Sequence, residues 1–158
     1  MKGFAGEIGI MDNDSTGFLV VEVVYVDEYS VKLATSFVTT DWRARATAWT
    51  QFETIGRFTD ELAAFIPKLV GEVVFEADND VAGGLGLRFH TTGEVRHLFC
   101  HLQLVSIPVA AYPPVQPWKV SVELATEAAA LDGFIAGLRR IVEDESGKAT
   151  LKLTNHWF

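Results

Sequence analysis

A chain of 158 residues, 49% hydrophobic and 22% charged, is long enough to bury roughly two-thirds of the surface it exposes when unfolded, which excludes a disordered composition and sets the expectation of a single domain over residues 1–158. Its 21 acidic against 13 basic side chains leave a formal charge of −8, a field of the wrong sign for nucleic acid or anionic lipid and the right one for a basic partner. The lone cysteine can form no internal disulfide, and there is neither a signal-peptide core near the start nor an apolar run of ~20 residues, so the expected location is the cytoplasm, with no membrane association.

In chain order the first signals are β. Phe18 to Val26 (FLVVEVVYV) is β-branched or aromatic almost throughout, with Glu22 the interruption, a composition suited to a strand buried on both faces. Val31, Leu33, Thr35 and Phe37 then alternate with Lys32, Ala34, Ser36 and Val38, and Trp42, Ala44, Ala46 and Ala48 alternate with Arg43, Arg45, Thr47 and Trp49. Period two predicts strands whose faces differ in character.

Between Thr54 and Leu69 the period lengthens. Phe58, Leu62, Phe65, Ile66 and Leu69 share one stripe while Asp60, Glu61 and Lys68 lie opposite, predicting a helix over about 54–69. Thr54 or Thr59 is the expected cap; Pro67 should kink or end the helix near Ile66, with Gly71 completing the turn. Strands are then expected at Glu72 to Ala77, Leu85 to His90, Glu94 to Val105 and Trp118 to Leu124. A second helix follows over about 127–143, capped by Thr126 and closed by Gly147, with Leu131, Phe134, Ile135 and Leu138 on its apolar stripe. Ala149, Leu151 and Leu153 mark a last strand. Short turns join most strands, so the expected class is α+β: a largely antiparallel sheet, curved or folded into two layers, packed by two amphipathic helices.

Chemical sites are weighed on that frame. RHLFCHLQL, Arg96 to Leu104, looks like a metal cluster, but on a strand His97, Phe99, His101 and Gln103 face one way and Leu98, Cys100, Leu102 and Leu104 the other. His97 and His101 then stand about 13 Å apart, too far to share one zinc, although either could meet His90 across a sheet. The bland assignment, histidines on a partly exposed face with a buried thiol behind, is favoured, and no metal is expected. The segments Asp12-Asn13-Asp14-Ser15-Thr16-Gly17 and Asp78-Asn79-Asp80-Val81-Ala82-Gly83 imitate the start of a calcium loop, yet position twelve is Val23 or Phe89 where a glutamate is needed. Hairpin turns explain both.

Nucleophile-elbow, HExxH, CxxC and phosphate-loop motifs are missing, and no cofactor is implied. Gly83-Gly84-Leu85-Gly86 opens a strand and turns a hairpin. An enzyme would need two carboxylates meeting in a cleft, an arrangement with no sequence signature. As binding features, the proline-stiffened segment Ile107 to Pro117 carries Tyr112, the chain closes on His156-Trp157-Phe158, and Arg43 and Arg45 share a strand face with Trp49. The arginines are expected to pair with acids on neighbouring strands.

The run from Trp49 through Phe58-Thr59-Asp60-Glu61-Leu62-Ala63-Ala64-Phe65 to Gly71, then Leu85-Gly86-Leu87-Arg88-Phe89, the Gly93 turn, Trp118-Lys119-Val120-Ser121-Val122 and the helix Leu131 to Leu138 resembles a group of small uncharacterised bacterial proteins. These are similar to immunity proteins of the wall-associated, polymorphic toxin type. The resemblance covers about two-thirds of the chain and rests on spacing, apolar anchors and turn glycines. It implies a non-catalytic protein that neutralises a basic toxin domain by contact. Asp12, Asp14, Asp27, Glu28, Asp78 and Asp80, all at predicted strand ends, are then the acidic candidates for the contact, with Tyr112 beside them. Two alternatives from other classes are a binder of a small apolar ligand held between sheet and helices, and an enzyme with a carboxylate-based site.

Overall fold

The apolar/polar alternation along the chain becomes eight strands in the computed structural model, which describes residues 16–77, 83–93, 97–106 and 118–154. They are β1 (Thr16–Val26), β2 (Val31–Val38), β3 (Arg43–Thr50), β4 (Glu72–Ala77), β5 (Gly83–Thr92), β6 (His97–Ser106), β7 (Trp118–Ala125) and β8 (Lys148–Thr154). All pair antiparallel in one open sheet ordered β3-β2-β1-β8-β7-β6-β5-β4. The fold is α+β, with two helices added to the sheet.

The sheet is two four-stranded halves meeting at a narrow seam. The β7 and β8 ladder consists of the pair Ala125↔Thr154. Thr126 reinforces it from just beyond β7: its backbone N–H donates to Leu98 O at 3.0 Å and its hydroxyl to Lys152 O at 3.1 Å. Edge strand β3 comes near β5 and β6 of the other half. Its inward column is Ala44, Ala46 and Ala48, and side chains this small let the backbones approach. Gly83 is a point of close approach, since a Cβ there would stand 2.8 Å from Thr47 O of β3 as well as 2.6 Å from Val105 O of its ladder neighbour β6.

Helix α1 spans Phe52–Phe65 and α2 spans Ala128–Asp144. Pro67 ends α1 as its missing N–H requires, and the chain turns back through left-handed Leu69 (φ 49°) and Gly71 (φ 87°). The predicted helix therefore stops at Phe65 and not at 69. The caps also differ from expectation. Gln51 and Glu127 hold the N-cap positions in extended conformation, and neither makes a side-chain cap. Thr59 is buried and donates its hydroxyl to Ile55 O at 2.7 Å inside the helix, while Thr126 is occupied at the sheet seam.

One continuous core joins all eight strands to both helices. Phe58 links Phe75 and Phe89, at ring-centroid distances of 5.0 and 6.2 Å, and Phe89 continues to Phe134 at 6.3 Å. The gap between sheet and helices, lined by residues such as Val21, Ile55, Phe58, Phe134 and Leu138, has a volume of about 10 Å³. Among the described residues no helix is long and apolar enough to cross a membrane.

Candidate functional site

Alternation sends every second residue of β3, β2, β1 and β8 away from the core. The registers then line these outward residues into rows. Arg43, Val38, Phe18 and Lys152 form one; Arg45, Ser36, Val20 and Thr150 the next; Thr47, Ala34, Glu22 and Lys148 the third. The last row is Trp49, Lys32 and Tyr25, brought round by an irregularity in β1 between Val23 and Tyr25.

This face is basic on an acidic chain. Lys32, Arg43, Arg45, Lys148 and Lys152 stand on it with Glu22 as the acid in their midst, and no ion pair joins these cations to a carboxylate among the described residues. The expectation that Arg43 and Arg45 pair with acids on neighbouring strands is therefore corrected. β3 is an edge strand with β2 as its ladder partner, and the residues opposite the arginines are Val38 and Ser36.

Aromatic side chains close one end of the face. Tyr25 meets Trp49 edge-on with centroids 5.8 Å apart, and the Lys32 ammonium lies 5.9 Å from the Trp49 ring centroid. Tyr25 remains 57% and Tyr29 79% exposed, beside exposed Val24 and Val26. A groove of about 480 Å³ runs along Val24, Tyr25, Lys32, Arg45, Thr47 and Trp49. A second, of about 350 Å³, lies between Trp49, Ser30, Gln51, Thr54 and the end of β4 at Glu76 and Ala77. Trp49 is the wall common to both.

Of the acidic candidates, Asp27 is committed to its own turn. Its Oδ1 accepts the backbone N–H groups of Tyr29 at 2.8 Å and Ser30 at 2.7 Å, and the Ser30 hydroxyl at 3.0 Å. Those N–H groups hold its carboxyl below the ordinary aspartate value of 3.8. Glu28 is exposed at the tip of the same turn. Asp12, Asp14, Asp78, Asp80 and Tyr112 lie outside the described residues, as do the whole proline segment and the aromatic tail.

The other half of the sheet places the histidine stretch of β6 as its alternation requires. His97, Phe99, His101 and Gln103 face outward in part, and Cys100 is fully buried behind them. Polar groups there pair off along an open surface: Arg88 Nε with Glu72 at 2.5 Å, the His101 ring with the Ser121 hydroxyl at 3.1 Å, and His90 with Glu123. His90 also stacks on Phe99 at 5.8 Å. Among the described residues no three His, Cys, Asp or Glu side chains gather as metal ligands.

The sequence displays Arg43, Arg45 and Trp49 on one face, but not the second column of cations. Lys148 and Lys152 join it because β8 returns to lie against β1, a pairing between residues more than a hundred positions apart. Tested against protein-family models, curated proteins and solved structures, the chain matches none.

Proposed function

We propose that this chain is a non-catalytic protein-binding domain of the cytoplasm, and that it engages its partner through the outward face of β3-β2-β1-β8. The observation that carries this reading is the grouping of Trp49, Tyr25, Lys32 and Arg45 beside cations that have no carboxylate partner among the described residues. Trp, Tyr and Arg dominate the energetics of protein interfaces, where large rigid surfaces and forked donors gain most from exclusion of water. The resemblance suggests toxin neutralisation by contact as the specific form. The sign of this face favours an acidic patch on such a toxin, so the acidic turns and a basic partner are not the pairing we favour.

Neither alternative draws support from a specific observation. A gap of about 10 Å³ between sheet and helices is no larger than one water needs, and the polar groups outside β5-β6-β7 are spread over an open surface. The test is to look for a toxin domain encoded beside this chain's gene and, where one stands there, to co-express the two. Wild-type protein should restore growth, and the folded double variant Tyr25→Ala, Trp49→Ala should fail to do so. Equal rescue by both would remove this face from the function.

A further inference from the structure

We infer that the occupant of this face is an acidic amphipathic helix of a protein partner, lying along the strands between two columns of cations; the inference rests on the face being a protein-binding surface. The columns are Arg43 and Arg45 on β3 and Lys148 and Lys152 on β8, with β2 and β1 between them. Three strand spacings of 4.7–4.9 Å put them about 14 Å apart. A helix with its side chains is ~10–12 Å across, so it fits between the columns with a flank against each.

The floor between the columns is largely apolar: Val38 and Phe18 in one row, Ser36 and Val20 in the next, and in the third Ala34 beside Glu22, the one carboxylate of these rows, which is set against Lys148. An extended segment would turn half its side chains away from the sheet. A helix lays one apolar stripe on such a floor and presents residues three and four positions away to both sides. Carboxylates on those flanks meet the arginines on one side and the lysines on the other. Lys32, Trp49 and Tyr25 stand across one end of the trough, where a helix end with an aromatic or aliphatic residue finds the groove along Val24, Thr47 and Trp49. Charge complementarity selects the acid: the cations face outward without carboxylate partners among the described residues.

The experiment measures binding of the whole chain to a fluorescein-labelled helical peptide of about five turns, with a leucine stripe flanked by glutamates. Binding should weaken as salt rises. The pairs Arg43→Glu with Arg45→Glu and Lys148→Glu with Lys152→Glu should each weaken it by about tenfold or more and flatten the salt dependence. All four residues are exposed, so unchanged thermal midpoints will show the variants folded. Equal binding of the same peptide interrupted by prolines overturns the helix, and equal binding of a lysine-flanked version overturns the charge argument. Tighter binding of oligouridylate overturns the protein partner. Self-association abolished by the same reversals assigns the face to a second copy, and also overturns the inference. If toxin rescue depends on Trp49 while no acidic helix binds, the protein-binding reading stands and this inference falls.

Discussion

Gly137 of α2 lies so close to Ala149 of β8 that a Cβ on the glycine would stand 2.8 Å from both Ala149 Cα and Ala149 Cβ. Missing side-chain volume at this point lets the second helix rest on the strand that brings Lys148 and Lys152 to the candidate face. Gly137→Ala should destabilise by about 1–3 kcal/mol through overpacking. Gly133→Ala provides the control: it is on the same helix, exposed, with nothing within 4 Å of its Cβ position. There the gain in helix propensity, up to about 1 kcal/mol, should raise stability. Urea unfolding midpoints compare the two.

Gly83 is more tightly constrained. Its φ of +134° lies where side-chain-bearing residues are rarely found, and the neighbours of a Cβ there are the backbone oxygens of Val105 and Thr47. Backbone cannot swing aside as a side chain does. Gly83→Ala should therefore cost about 2 kcal/mol or more, and exceed the loss at Gly137. Hydrogen exchange should speed up in β3 as well as β5, because Thr47 belongs to the opposing strand.

Much of this architecture was legible in the sequence. All eight strands and both helices show in the periodicity, and Pro67 ends α1 at Phe65 for the reason a missing N–H gives. The caps were not legible, since a threonine near a helix start reads the same whether it caps, as expected of Thr126, or ties Lys152 across a seam. Strand order was not legible either. Nothing local to Lys148 or Lys152 says that β8 lies between β1 and β7, so the face could be seen only in part, as Arg43, Arg45 and Trp49.

The seam makes its own prediction. Thr126→Val keeps the shape of the side chain but removes the donor to Lys152 O. With the ladder there limited to Ala125↔Thr154, the lost bond should cost about 1–2 kcal/mol. Amide exchange at Thr154 and Ala125 should accelerate more than in the middle of β6.

Cys100 should be chemically silent in the folded protein. Burial, followed by the nearby Glu123 charge, pushes its thiol far above the ordinary value of 9.0, so almost no thiolate forms natively. Ellman's reagent at pH 8 should react at the rate of unfolding. The folded state holds this proton more tightly than the unfolded state does. The thiol's contribution to stability is thus present below the unfolded value and is lost as pH rises above it. Stability measured from pH 8 to pH 10 should fall more steeply for the wild type than for Cys100→Ala.

The face itself is tested most directly by hydroxyl-radical footprinting of the protein alone and in complex with the protein partner proposed for it. Tyr25, Tyr29 and Trp49 should lose reactivity on binding, while Trp118, exposed at the start of β7 in the other half of the sheet, keeps its own. Unchanged oxidation of Trp49 in a complex that has formed would contradict the account.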